Sequence, residues 1–187
     1  TIHGFIKDVK LWDIRHPNRY LIRTELITDD AVIDVREVNV GFRKAEFTSE
    51  GFFLNGRRVQ IRGLNRHQSY PYVGYAMPES MQRDDARVLK GLGINAVRTS
   101  HYPQSHYFVD ECDALGLLVF TEIPGWQHIG DKKWQDQAVK NVEEMVTQYR
   151  NHPSIVIWGV RINESRDDHD LYTKTNEAAH RLDPTRQ

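Results

Sequence analysis

The chain has 187 residues, and its 25 basic and 26 acidic side chains leave a formal net charge of -1, so no global field draws it to nucleic acid or to an anionic membrane surface. A hydrophobic content of 39% and an aromatic content of 10%, with four Trp and eight Tyr, suit a real core and a site for a neutral or small ligand that stacks on rings. The sole cysteine, Cys112, reads as a buried apolar residue rather than half of an intrachain disulfide; no apolar run approaches the ~18 to 20 residues of a membrane span, and Thr1 opens no basic-then-apolar leader.

Two β-rich runs, Tyr20 to Ile27 and Ala31 to Val40, flank Asp29-Asp30 and predict a hairpin. A second pair, Gly51 to Leu54 and Arg58 to Ile61, is joined by Asn55-Gly56, a dipeptide that accepts positive φ in a tight turn. Beyond it the pattern changes. Val59 to Gly63 reads as the first of a series of buried strands, and Pro78 opens a helix with Met81, Val88, Leu89 and Leu92 on one face. Gly93-Ile94 leads into a strand at Asn95 to Thr99. Phe108, Cys112 and Leu115 mark the next helix, Gly116 stops it, and Leu117 to Thr121 is the next strand. A helix from Trp134 to Arg150 precedes the strand Ile155 to Trp158, and a last helix around Leu171, Ala178, Ala179 and Leu182 ends at Asp183-Pro184. Apolar strands alternating with helices are βαβ units of a parallel sheet, in a doubly wound sheet or a (β/α)8 barrel, and no Gly-rich phosphate fingerprint follows any of them, which removes the usual reason to choose a nucleotide-binding doubly wound sheet. Four such units make up half of a barrel of the usual ~250 residues, so the chain is expected to stop short of the complete barrel.

In such barrels the reactive groups lie just past the C-terminal ends of the strands. Those positions hold Arg62, Asn65, Arg66 and His67, then Arg98, Ser100, His101 and Tyr102, then Glu122 and Trp126, then Arg161, Asn163 and Glu164. Glu164 stands out as a carboxyl at the mouth of an apolar barrel, where burial raises the pKa toward that of a general acid. The bland reading places Glu164 at the start of the last helix, capped by Asn163 or Ser165. Trp126 belongs at the rim, whereas Trp158, inside a strand, is either a stacking face or core.

Phe53-Leu54-Asn55-Gly56, Arg62-Gly63-Leu64-Asn65-Arg66-His67, Asn95 to Pro103, and Asn151-His152-Pro153-Ser154-Ile155 followed by Asn163-Glu164 are similar, in the same order, to family 2 glycoside hydrolases. Gly41-Phe42-Arg43 also resembles the end of the immunoglobulin-like domain that precedes the barrel there. The resemblance implies an α/β fold: residues 1–46 as the C-terminal part of an immunoglobulin-like β-sandwich, and 47–187 as the N-terminal half of a (β/α)8 TIM-barrel catalytic domain. It implies a retaining β-glycosidase acting on terminal β-galactosides, with Glu164 as acid/base and Asn163 on the 2-hydroxyl. Arg98 would support the nucleophile, while His67, His101 and Trp126 would line the sugar pocket. Retaining hydrolysis uses two carboxyl groups about 5 to 5.5 Å apart, and the family's nucleophile is a Glu on a seventh strand, outside these residues, so the chain by itself is expected to be inactive.

Two departures stand out. Many family β-galactosidases carry a Glu and a His after the third strand that help bind magnesium, whereas the comparable stretch here reads Glu122-Ile123-Pro124-Gly125-Trp126-Gln127-His128. No metal site is assigned and no cofactor is required, with magnesium or sodium left open for the whole enzyme. Four residues, Gly159-Val160-Arg161-Ile162, separate Trp158 from Asn163 where the common pattern has three. β-Glucuronidase and β-mannosidase are the alternatives within the family. A metal-dependent hydrolase built on His67, His101, His128 and Glu122 is disfavoured, because no His pair stands at i, i+2 or i, i+4. A non-catalytic structural piece is the remaining class for the chain alone. The expected partners are a carbohydrate and further copies of the chain in a homo-oligomer, without nucleic acid or membrane, and the expected location is the bacterial cytoplasm.

Overall fold

The computed structural model describes residues 4–187, so the leader reading at Thr1 and the first residues of the 1–46 span lie outside it. Strands β1 (Tyr20–Thr28) and β2 (Ala31–Val40) form an antiparallel hairpin, turned by Asp29 and Asp30 at φ 49° and 63°. The expected hairpin is therefore present. Its Leu21, Leu26, Ile27 and Ile33 are exposed, as a lone two-stranded ribbon offers no second layer against which to bury them.

A small antiparallel sheet follows, made of β3 (Ala45–Thr48), β4 (Gly51–Leu54) and β5 (Arg57–Arg58) in that order. Asn55 and Gly56 turn it at φ 53° and 75°, as their type predicts, whereas β3 has too little periodicity to be read from sequence. Val59 extends this sheet rather than opening the next, its N–H donating to the Phe52 carbonyl at 2.9 Å. The first parallel strand accordingly lies later than the expected Val59 to Gly63.

That sheet is β6 (Gly63–Arg66), β7 (Ala96–Thr99), β8 (Leu118–Glu122) and β9 (Ile155–Gly159), all parallel and in sequence order. Its connections are α1 (Glu79–Gly91), α2 (His106–Leu115) and α3 (Lys132–Tyr149), and α4 (His169–Leu182) follows β9. Side-chain caps begin three of the helices: Ser105 accepts from Tyr107 N–H, Asp131 from Trp134 N–H and Asp168 from Leu171 N–H. Gly116 ends α2 at φ 70°, where a Cβ would lie 2.7 Å from the Ile14 carbonyl oxygen. The cap at Asp168 places the helix start beyond Glu164, which removes the bland reading in which Asn163 or Ser165 caps the last helix and its dipole favours Glu164.

The face of α1 differs from the sequence expectation. Val88 and Leu92 are exposed, while Gln82 and Ala86 point inward. A buried polar demand selects this face: Arg66, at the end of β6, donates to Gln82 Oε1 at 2.9 Å and to Gln104, pairs with Asp85, and lays its guanidinium 4.0 Å from the centre of the Phe108 ring.

Two cores divide the parallel sheet. Val97, Val119, Ile155 and Trp158 meet Phe108, Cys112, Val142, Val146 and Leu171 of the helices. On the other face, at the strand starts, Ala96, Leu118 and Val156 meet Phe52 and Leu54 of the small sheet and Trp12. Trp12 is fully buried and donates its indole N–H to the Asp113 carbonyl at 2.8 Å. These contacts pack the strand starts, and the polar strand-end residues lie at the opposite end of the sheet. Among the described residues no helix is long and apolar enough to cross a membrane.

Trp12→Ala should lower unfolding stability by about 3 to 5 kcal/mol, while Leu21→Ala on the exposed hairpin should change it by less than about 0.5 kcal/mol. Urea denaturation of the two variants checks this, and similar midpoints would contradict the seating of Trp12.

Candidate active site

The C-terminal ends of β6 to β9 bring the expected residues together. Glu122 ends β8 at 2% exposure, a carboxylate buried by the strand that carries it. Burial of that kind requires partners. Arg98 of β7 donates Nε–H to its Oε1, and His101 Nδ1 lies 2.9 Å from its Oε2. Because the carboxylate accepts on both oxygens, Nδ1 of His101 carries a hydrogen, and in the neutral ring Nε2 is left as an acceptor.

Arg98 reaches further. Its second amino group donates to Asn163 Oδ1 at 2.8 Å, which directs the Asn163 amide N–H groups away from the guanidinium. Beside Asn163, Glu164 stands exposed on the loop between β9 and α4 at φ 55°. Its Oε2 accepts from Trp126 Nε1 at 3.0 Å and from Gln127 Nε2 at 3.1 Å. His67 stands edge-on to His101 with ring centres 5.5 Å apart, and the Tyr102 ring centre lies 6.1 Å from that of His67. Glu164, Asn163, Arg98, His101, His67 and Trp126 thus form one connected group on a single rim.

The surroundings of Glu164 differ from the sequence expectation. It sits in the open, and the indole N–H of Trp126, followed by the Gln127 amide, holds its carboxyl below the usual carboxylate range. The expectation of a raised pKa assumed an apolar pocket, whereas donors to the charged form act in the opposite direction. The extra residue before Asn163 is absorbed inside the loop: Ile162 is buried, and Trp126 still pairs with Asn163 as a parallel bridge.

Other strand-end residues have different work. Arg66 is a buried anchor between β6 and the helices, and Arg161 ties its own loop to Asp167 at 2.6 Å while lying over Tyr172. Trp158 is core, with its indole N–H on Asp183 at 3.0 Å, so it offers no face to a ligand. The sequence points to Glu122 only as a strand-end carboxyl and as a ligand of the disfavoured metal-hydrolase alternative, and gives Gln127 no role. A Glu ending an apolar strand was the available signal for the first. The second depends on a left-handed backbone, φ 61°, at a residue type with no special preference for it.

The stretch from Glu122 to Trp126 does not fit a divalent cation at Glu164. Magnesium needs oxygen lone pairs, and the side chain at position 126 is an indole that can only donate. Glu122 has both oxygens engaged, and His128 packs edge-on against Trp134, ring centres 5.9 Å apart. Among the described residues, the group with metal-ligand spacing is Asp110, Asp113 and His152, near the start of β9 and away from the rim. The four residues of the metal-hydrolase alternative make no such group.

Four parallel β/α units, packed at the strand starts and carrying polar groups at the strand ends, are the architecture of β/α-barrel proteins, in which reactive groups lie at the C-terminal rim. Residues 45–187 match the model for glycosyl hydrolases family 2, TIM barrel domain, and residues 2–43 match that for glycosyl hydrolases family 2. The chain belongs to glycosyl hydrolase family 2. It is 56% identical over 183 residues to a β-galactosidase of Thermoanaerobacterium thermosulfurigenes, covering 97% of this chain and 25% of that protein. Among solved structures it resembles a family 2 β-galacturonidase of Eisenbergiella tayi bound to galacturonate, with TM-score 0.92, 34% identity, and coverage of 100% of this chain and 34% of that one. A β-glucuronidase of Parabacteroides merdae gives TM-score 0.86 and 36% identity over 97% of this chain and 24% of that one. The chain therefore spans about a quarter of the length of the curated relative.

Gly159 permits the contact between β8 and β9 that seats Glu122. A Cβ there would lie 2.6 Å from Glu122 Cγ and 2.7 Å from Phe120 Cε2. Gly159→Ala should cost about 1 to 3 kcal/mol of stability by overpacking and displace the Glu122 carboxylate from Arg98. Urea denaturation reads the first effect and the crystal structure of the variant reads the second; an unmoved Glu122 would refute the constraint.

Proposed function

We propose that the polypeptide bearing this chain is a retaining β-glycosidase that hydrolyses terminal β-galactosides, with Glu164 as its acid/base. One observation carries the reading: Glu164 and Asn163 stand side by side on the rim, Asn163 held through its amide oxygen by Arg98, so an exposed carboxyl and an amide donor lie together there. The carboxyl is placed to protonate a leaving oxygen and the amide to bind the neighbouring sugar hydroxyl. His67 and His101 offer ring nitrogens to further hydroxyls, and the face of Trp126, 61% exposed, suits the C–H surface of a pyranose. The identity to a β-galactosidase supports the galactoside over the alternatives.

The second carboxylate of the reaction is a Glu outside these residues. Glu122 does not serve, because Arg98 and His101 occupy both its oxygens. The division at 46/47 between an immunoglobulin-like domain and the barrel is part of the same proposal, supported by family matches that meet within a few residues of it. A bound sugar would displace water from Glu164, and that burial raises its pKa against the pull of Trp126 and Gln127. The acid form is thereby favoured in the complex, where it is needed.

The β-glucuronidase alternative rests on the likeness to solved uronidases. A panel of 4-nitrophenyl β-galactoside, β-glucuronide and β-mannoside separates the readings, and preference for the glucuronide would overturn the galactoside. In the full-length polypeptide, Glu164→Gln should slow hydrolysis of a poor leaving group by at least about tenfold, a barrier change of ~1.4 kcal/mol. Azide, which needs no general base, should restore turnover with an activated aryl substrate and yield the β-glycosyl azide. A smaller loss without azide product would remove Glu164 from the chemistry. The 187-residue chain alone should show no turnover of an aryl β-galactoside.

A further inference from the structure

The loop after β8 is fastened by its backbone to both neighbours. Gln127 N–H donates to the Asn163 carbonyl at 2.8 Å, beside the Trp126–Asn163 bridge, and Gly125 N–H donates to the His101 carbonyl at 3.3 Å. His128 N–H closes the turn on the Trp126 carbonyl at 2.7 Å. Gln127 and Glu164 both adopt left-handed backbone, φ 61° and 55°, which L residues keep only where surrounding contacts hold it. These contacts aim two side chains at one atom: the indole and the amide donate to the same oxygen, Oε2 of Glu164, at 3.0 and 3.1 Å.

We infer that Trp126 and Gln127 are positioning residues for the acid/base, holding Oε2 so that Oε1 is the oxygen that carries the proton to the glycosidic oxygen. The inference rests on the acid/base reading of Glu164 given above. As the second carboxylate of the proposed reaction bonds to the anomeric carbon, the C–O bond of the glycoside breaks and its electron pair stays on the leaving oxygen, which takes the proton from Oε1. In the second step water bonds to the anomeric carbon, the carboxylate leaves with the electron pair of its C–O bond, and Oε1 takes the proton of the attacking water. Throughout, Oε2 keeps its two donors and the carboxyl plane stays fixed. An indole N–H and an amide N–H cannot themselves lose a proton at neutral pH, so they orient the carboxyl without competing for its proton. The titratable and charged groups facing this carboxyl are the His101 imidazole from the loop after β7 and, beyond it, Arg98 and Glu122, which are paired with each other. The same two donors, Trp126 first, hold the Glu164 carboxyl low.

Trp126→Phe, Gln127→Met and the double variant, made in the full-length polypeptide, test the inference alongside Glu164→Gln. The readout is kcat/KM for 2,4-dinitrophenyl, 4-nitrophenyl and methyl β-galactosides. An activated aryl leaving group needs little protonation and a methyl glycoside needs it fully, so the dinitrophenyl-to-methyl ratio should rise at least about tenfold in the double variant. Loss of donors to the charged form raises the pKa of Glu164, so the alkaline limb of kcat/KM should move to higher pH. An equal loss on all three substrates, with an unmoved alkaline limb, would make these residues structural or sugar-binding only and overturn the inference. Weakened inhibition by free galactose as the sole change would do the same and leave Trp126 as a stacking platform. Gln127 is exposed, so Gln127→Met keeps the test open if Trp126→Phe fails to fold. If Glu164→Gln itself leaves the ratio unchanged, the acid/base reading fails. If only the Trp126 and Gln127 variants leave it unchanged, the acid/base stands and the positioning fails.

Discussion

The rim depends on one buried charge. Glu122 ends an apolar strand with its carboxylate out of water, and an ion left unpaired there would cost several kcal/mol. Arg98 and His101, from the neighbouring strand and its loop, are drawn to it. Their positions then follow from that need rather than from contact with any ligand. Arg98 extends the constraint by one more hydrogen bond to Asn163, so a carboxylate on β8 fixes an amide after β9. Gly159 makes room for it, since any side chain there would occupy the space of Glu122.

The opposite end of the sheet has a comparable logic with backbone groups in place of a charge. Arg43 donates to the carbonyls of Pro153 and Ile155, and Arg186 shares the Ile155 carbonyl while reaching those of Arg150 and His152. Burial pushes the Arg43 pKa down to about 10, with the nearby charge of Arg186 acting the same way, and the group remains cationic at neutral pH. Two segments distant in sequence, one before the barrel and one after α4, therefore meet on the start of β9. Together with Trp12 they close that end.

The two carboxylates of the rim also divide the work by environment. Glu122 is buried and engaged on both oxygens, which suits it to hold neighbours and unsuits it to react. Glu164 is exposed and held on one oxygen, which leaves the other without a donor from Trp126 or Gln127, as the proposed acid/base role requires. The sequence carries the same residue type at comparable strand ends, and only the surroundings tell the two carboxyls apart.

What the sequence determined by itself is the alternation of apolar strands and helices, the turns at Asp29-Asp30 and Asn55-Gly56, the helix stop at Gly116, and the set of polar residues at the strand ends. These are local properties, written in periodicity and backbone preference, and they were legible without a structure. The tertiary structure decided which of those polar residues face the rim: Arg66 turned to the helices because Gln82, Asp85 and Gln104 wait there, and Trp158 turned to Asp183. It decided that α1 buries Gln82 and Ala86 in place of Val88 and Leu92, since a buried guanidinium outweighs a better apolar stripe. It decided the state of Glu164 as well. A pKa is set by whatever reaches the carboxyl through space, here an indole and an amide from a different loop, and no spacing along the chain encodes that approach.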